Sequence, residues 1–278
     1  MVFICGNQKT YIMLNIITLP NEKNIYLNPT DVDPAVGKPS INNFNDHFKH
    51  KTDPKKLNLL LDKITKQQIE LLYKEAADLA KADNSTDFLT CLRVTLGADS
   101  TTNSVKAIYS AVYLKYVETY YDVTPVNPIM KYTFGQESGT YSMTGNQLRA
   151  YNGNPITDYD NNINIIDDIT GTPRHTSRGP NIENDTESHL FPFQEILTLI
   201  DTNQVSSIYL YNAIRTIENQ PKHGLLVSPV DLLLDPPIAF TGINLTFESY
   251  GIVKVGDYAN LSHLCPPSCH RDFLFVRA

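Results

Sequence analysis

The chain has 278 residues, enough for one large or two small domains whose core needs no staples. Its formal net charge of −7 and isoelectric point near 5.5 argue against a nucleic-acid groove, which requires a basic stripe. Charged residues make up 19%, below the ~25% usual for soluble domains, so Asn, Ser and Thr carry the polar surface, and neutral surfaces of this kind are often covered by partners.

Asn7, Gln8 and Lys9 interrupt the apolar N-terminus and no small-residue cleavage site follows, so neither a signal peptide nor a membrane span is expected. Met13 is an alternative start. Without an export signal, the four cysteines are expected to be reduced thiols in a cytoplasmic protein. Tyr11–Ile17 and Ile25–Leu27 read as short strands, and 28–53, punctuated by Pro29, Pro34 and Pro39, reads as an extended connector.

Helices are then expected. Asp53 before Pro54 marks a start, followed by a stripe of Leu57, Leu60, Leu61 and Ile64. Thr65 and Gln68 form a capping-box pattern ahead of Ile69, Leu72, Tyr73, Ala76 and Ala80. Phe88, Leu89, Leu92 and Leu96 suggest a third helix closed by Gly97. The strongest periodicity predicts a helix over Ser104–Asp122, where Val105, Ile108, Tyr109, Val112, Tyr113, Tyr116, Val117 and Tyr120 recur at helical spacing. Its tyrosine stripe is expected to be a packed core face; a stacking platform for a ligand is the alternative.

Region 125–188 loses periodicity, apart from an apolar run at Ile163–Ile169, and reads as a long irregular connector and the best candidate for a partner-binding surface. The stretch His189–Leu234 is expected to organise the rest. Pro192 suits the first turn of a helix carrying Phe193, Ile196, Leu197 and Ile200, and Ser207–Ile217, apolar on both faces, is a central strand. A hairpin loop around Glu218–Lys222 leads to a returning strand over Gly224–Val230. Ile243, Leu245 and Phe247 alternate with polar residues as a half-exposed strand, and Ile252–Val255 continues the meander.

Three groups could carry chemistry. His263, Cys265, Cys269 and His270 crowd one short stretch, and thiolate with imidazole suits zinc, although the adjacent Cys269 and His270 point apart. The C-x3-C-H spacing is one residue longer than that of covalent haem attachment; a local disulfide or free thiols are the structural alternatives. Asp158, Asp160 and Asn162, with Asp167 and Asp168 beyond, place oxygens at alternate positions as calcium loops do, but Ile163 replaces the required glycine, and a solvated loop is expected. His223, Ser228 and Asp231, preceded by His189 and Glu195, supply the residue types of a hydrolase. No nucleophile elbow surrounds Ser228, and Pro229 removes an oxyanion-hole N–H. His47 and His50 lack acidic company and are expected to face solvent. No glycine-rich phosphate loop is present in the sequence, which counts against nucleotide chemistry.

The segment F-P-F-x-E-I at Phe191–Ile196, followed by strands and a closing L-C-P-P-S-C at Leu264–Cys269, resembles a recurrent group of proteins from Bacteroidetes bacteria. The resemblance covers about the last third of the chain, and Arg271–Ala278 extends beyond the usual end of such chains. The group brings no known activity, so the resemblance implies an architecture and not a function.

The expected fold is α+β, with N-terminal strands plus a helical region over 1–124, the irregular connector over 125–188 and an antiparallel sheet with one packed helix over 189–278. The early strands would allow these to form one intertwined unit. The expected function is non-catalytic binding or structure, with a protein partner or self-association, no nucleic acid, no membrane span and no cofactor. The alternative is a zinc-dependent enzyme using His263, Cys265, Cys269 and His270.

Overall fold

The computed structural model describes residues 30–32, 34–51, 56–99, 102, 104–121, 128–166, 173–175, 186–217, 220–234, 245–247, 251–253 and 273–277. In chain order the elements are β1 (Thr30–Val32), α1 (Pro34–Asn42), α2 (Phe44–His47), β2 (Phe48–His50), β3 (Leu60–Thr65), α3 (Lys66–Ala82), β4 (Phe88–Asp99) and β5 (Ser104–Tyr121). There follow β6 (Pro128–Glu137), β7 (Tyr141–Thr144), β8 (Gln147–Ala150), α4 (Pro155–Asn162), β9 (Ile163–Ile166), β10 (Pro173–His175) and β11 (Thr186–Pro192). The last are α5 (Phe193–Asn203), β12 (Ser207–Ile217), β13 (Gln220–Ser228), β14 (Leu245–Phe247), β15 (Gly251–Val253) and β16 (Phe273–Arg277).

Antiparallel sheets dominate and a few helices accompany them, a mixed α and β architecture. One sheet has the order β1-β14-β13-β12-β3, a second β10-β9-β2, and a third β15-β11-β4-β5-β6-β16, with the β7–β8 hairpin attached to β5. β12 is central in its sheet, as its two apolar faces require. The pairings β3–β12 and β4–β11 join residues from both sides of the region read as a connector.

The expected helical region is corrected at three places. The stretch from Leu57 to Ile64 leads into β3, Phe88–Gly97 lies in β4, and the strongest predicted helix is β5. Every residue from Ala107 to Leu114 is buried, so both faces of β5 are covered and its apolar positions carry no two-residue alternation. A run buried on both faces matches a helical template by accident; its Val, Ile and Tyr content is what suits the pleated sheet. Of the predicted N-terminal helices, α3 forms. Thr65 accepts from the Gln68 N–H at 3.3 Å, and the Gln68 side chain accepts from the Thr65 N–H at 2.8 Å, completing the capping box. Its other end is a Schellman turn: Asn84 adopts φ 54°, with Asn84 N–H donating to Lys81 and Ser85 N–H to Ala80.

The two expected connectors also hold structure. Within 28–53 lie β1, α1, α2 and β2, with Pro34 at the first position of α1, where its missing N–H loses nothing. Within 125–188 lie β6 to β10, α4 and the start of β11. Thr144 pairs with Gln147, leaving a two-residue turn in which Gly145 takes φ +61°, the positive first central position that a tight hairpin demands of glycine. Tyr11–Ile17 and Ile25–Leu27 lie outside the described residues.

Near the C-terminus α5 buries Phe193, Ile196, Leu199 and Ile200 as one stripe; Pro192 caps it rather than opening its first turn, and Gln204 at φ 54° closes it. The main core lies between facing strands. Leu92, Val94 and Leu96 of β4, with Tyr109 and Ala111 of β5, meet Ile208 and Leu210 of β12, Leu225 and Val227 of β13, and the inner faces of α3 and α5. The opposite face of β12–β13 buries Tyr211, Ala213 and Leu226 beside Ile41 of α1 and Leu232.

Candidate functional site

The residue types of a hydrolase sit near one another in sequence, but strand geometry separates them. His223 and Ser228 lie five residues apart on β13, which at about 3.3 Å per residue spreads them by ~16 Å along the strand and turns them to opposite faces. His223 shares its face with Leu225 and Val227 in the main core, whereas Ser228 belongs with Leu226 on the other side. Ser228 Oγ donates to the Val230 carbonyl at 2.8 Å and accepts from the Val230 N–H at 3.1 Å. Asp231 accepts from the Tyr211 hydroxyl at 2.9 Å and from the Leu233 N–H at 3.0 Å, and the Tyr211 oxygen in turn accepts from the Leu232 N–H at 2.7 Å. Burial, ahead of the neighbouring Asp231, pushes the Tyr211 hydroxyl well above its ordinary range. Ser228 and Asp231 therefore fasten the turn that follows β13.

His223 is the centre of a buried polar chain that sequence reading did not find. The Tyr159 hydroxyl lies 2.7 Å from His223 Nδ1, His223 Nε2 lies 2.8 Å from Asn212 Oδ1, and Asn212 Nδ2 donates to the Asn58 carbonyl at 2.8 Å. Tyr159, His223 and Asn212 are all fully buried. A carbonyl can only accept, so it fixes the order of donors in the neutral imidazole: Asn212 presents Oδ1 to the ring, Nε2 carries the proton, and Tyr159 donates to Nδ1. The Asn58 side chain donates to the Leu60 and Val105 carbonyls and accepts from Val105 N–H, carrying the chain on to β5. Phe44 and Phe48 stack on each other at 4.8 Å and both abut the imidazole, with ring centroids 4.8 and 5.1 Å from it. The signal for this arrangement was Asn212, an amide between Tyr211 and Ala213 in the apolar middle of a central strand, which must find buried partners.

The acidic loop is corrected to a helix. Asn154 caps α4 by accepting from Thr157 N–H, and Pro155 occupies its first turn. Two helical residues are offset by about 200° around the axis, so Asp158 and Asp160 point apart instead of converging on one ion. Asp158 accepts from the Tyr151 hydroxyl at 2.8 Å, and the Asp160 carbonyl accepts from Lys51. Asp167 and Asp168 lie outside the described residues, as do His263, Cys265, Cys269 and His270. Among the described residues no group of three or more His, Cys, Asp or Glu side chains could hold a metal ion.

The remaining candidates are dispersed. His189 is buried on β11 opposite Val94, with its ring 6.5 Å from that of Phe191, and Glu195 lies in the first turn of α5. His50, expected at the surface, is buried with only 5% exposure, and His47 is half-buried. On the far side of β4, Arg93 donates to Ser188 at 3.1 Å and to Glu137 at 2.9 Å, and Ser110 also donates to Glu137, which ties β11, β4, β5 and β6 together. Cys91 is a free thiol, fully buried; burial, with Glu195 second, pushes it far above the usual thiol range, the opposite of what a nucleophile needs. A cleft of about 10 Å³ among Phe191, Glu195, Ile196, Leu199 and Val227 has room for one water molecule. No described helix is long and apolar enough to cross a membrane. No protein-family model, no curated protein and no solved structure matches the chain.

Proposed function

We propose that this chain is a non-catalytic binding or structural protein that acts in the cytoplasm through contact with a protein partner or with a second copy of itself. The observation that carries this reading is the internal use of the reactive side chains. His223 is held by Tyr159 and Asn212, Ser228 by Val230, and Asp231 by Tyr211 and Leu233, each in the service of local architecture. The contact surface lies in region 125–188, on the β7–β8 hairpin. Thr144, Gly145, Asn146, Gln147, Arg149 and Ala150 are exposed there, while Gln68 holds the turn in place by donating to the Asn146 carbonyl at 2.7 Å. A hairpin fixed at its tip offers a partner a preformed surface and loses little entropy on binding.

The test is affinity purification of the full chain from its native host, beside the Arg149→Glu variant. The reading expects one stoichiometric protein partner, or a self-association equilibrium, that is weakened by the variant while the circular dichroism spectrum is unchanged. One equivalent of zinc held by the purified protein and lost on Cys265→Ser would overturn it in favour of the metalloenzyme.

A further inference from the structure

Asn152 is followed by Gly153, and this is the one Asn-Gly step in the sequence. Both residues are exposed, in the irregular segment between β8 and α4. An asparagine side chain in that position is open to attack by the main-chain nitrogen of the next residue, and a glycine, with no Cβ, leaves the approach unhindered. The nitrogen of Gly153 forms a bond to Cγ of Asn152, the bond from Cγ to the side-chain nitrogen breaks, and ammonia leaves with the proton that nitrogen carried. The resulting succinimide is opened by water. Attack at Cγ gives aspartate; attack at the main-chain carbonyl gives isoaspartate, in which the chain runs through the side-chain methylene. No oxidant, reductant or co-reactant other than water takes part.

The surroundings make the glycine hard to replace and the product hard to absorb. A Cβ on Gly153 would lie 2.4 Å from the Tyr151 hydroxyl oxygen, so the ring of Tyr151 occupies the space a side chain would need, and its hydroxyl donates to Asp158 of α4 at 2.8 Å. Immediately before the pair, Tyr151 N–H donates to the Thr140 carbonyl at 2.8 Å, and the Thr140 hydroxyl donates to the Tyr151 carbonyl at 3.0 Å. Immediately after it, Asn154 caps α4 through the Thr157 N–H at 3.2 Å. Two residues thus bridge two fixed points, and an added main-chain methylene must displace one of them. On one side that point is α4, which carries Tyr159 into the buried bond with His223.

We propose that Asn152 is a site of spontaneous deamidation, and that its isoaspartyl product loosens α4 and with it the Tyr159–His223 contact. The full chain is aged at mildly alkaline pH, mapped by mass spectrometry of its peptides, and labelled with protein isoaspartyl methyltransferase. The Asn152 peptide is expected to gain the mass of an amide-to-acid exchange several-fold faster than the peptide carrying Asn84, which is exposed and followed by Ser85. It should also take up the label, and Asn152→Gln should remove that label. Amide hydrogen exchange over 155–162 is expected to accelerate in the aged chain and not in Asn152→Asp, which has the charge without the methylene. An Asn152 that keeps its amide while Asn84 converts overturns the site. Unchanged exchange over α4 in fully converted protein, or acceleration equalled by Asn152→Asp, overturns the loosening.

Discussion

The polar chain at His223 and the tyrosines of β5 both bring hydroxyls into the core, and they end differently. The Tyr159 hydroxyl is linked through an imidazole and an amide to the Asn58 main-chain carbonyl, with no carboxylate in this chain of bonds. Tyr109 and Tyr113, equally buried, each end on a carboxylate: Tyr109 donates to Asp62 at 2.9 Å and Tyr113 to Asp83 at 2.6 Å. Desolvation raises both hydroxyls above their ordinary range, but the two carboxylates move in opposite directions. Burial lifts Asp62, against the bonds from Tyr109 and the Lys63 N–H, whereas hydrogen bonds from Lys115 and Tyr113 hold Asp83 low. A buried tyrosine is satisfied by either kind of partner; with a carboxylate, it is the environment of the acceptor that decides in which direction the pair responds to pH.

Breaking the His223 chain is expected to produce the largest effect. His223→Ala would open a cavity beside Phe44 and Phe48 and remove the hydrogen bonds to the Tyr159 hydroxyl and the Asn212 oxygen, at roughly 3–5 kcal/mol. Asn212→Ala removes the acceptor that faces His223 Nε2 and the donor to the Asn58 carbonyl, at about 2–4 kcal/mol. Because the two residues share one bond, the double variant should cost less than the sum of the singles by about 1–3 kcal/mol in urea unfolding. Strict additivity would show that the chain is not a coupled unit.

The β5 pairs can be disturbed through glycine instead. A Cβ on Gly135 would lie 2.2 Å from Cζ of Tyr113, inside the ring's own volume, so Gly135→Ala must push the ring off the strand and away from Asp83. Overpacking of this kind costs about 1–3 kcal/mol. Gly139→Ala is the matched control, since its nearest neighbour is the Tyr141 hydroxyl at 3.7 Å, and a thermal melt should barely distinguish it from the parent. Equal losses at the two sites would mean that general backbone stiffening, and not the Tyr113 ring, is responsible.

What could be read from the chain follows the range of the forces involved. The Thr65–Gln68 capping box and the bounds of β12 were legible because a cap is local and a doubly apolar strand closes at polar residues on either side. β5 was not, because burial of both faces erases alternation, and its 18-residue length favours a helix on length alone. Its β-branched and aromatic content was the better arbiter. β7 and β8 stayed hidden for the opposite reason: of their eight residues only Leu148 and Met143 are aliphatic partners of the main core, too few to set a period. The polar chain was beyond local reading altogether, since Asn212 finds its acceptor 154 residues away. Residue types suggested chemistry at His223, Ser228 and Asp231; strand direction, which sequence proximity conceals, turns the first away from the others.

The finest contrast is between the two carboxylates. Asp62 has its folded pKa raised, so its contribution to stability is fully present below the unfolded value of about 3.9 and is lost as pH rises through the folded value above it. Asp62→Asn cannot ionise, and its amide can still meet the Tyr109 hydroxyl, which accepts as well as donates. The variant is therefore expected to be more stable than the parent at neutral pH, with the difference closing as pH falls. Asp83 has the opposite sign: its contribution is present above the unfolded value and is lost as pH falls through the lowered folded value. Lys115→Met removes the group 2.5 Å away that lowers it most, so the acid limb of the melting-temperature profile should move to higher pH while the neutral plateau shifts little, the pair being solvent-accessible and screened. If both variants move the profile in the same direction, burial alone governs both pairs, and the lysine that separates Asp83 from Asp62 has been given a role it does not have.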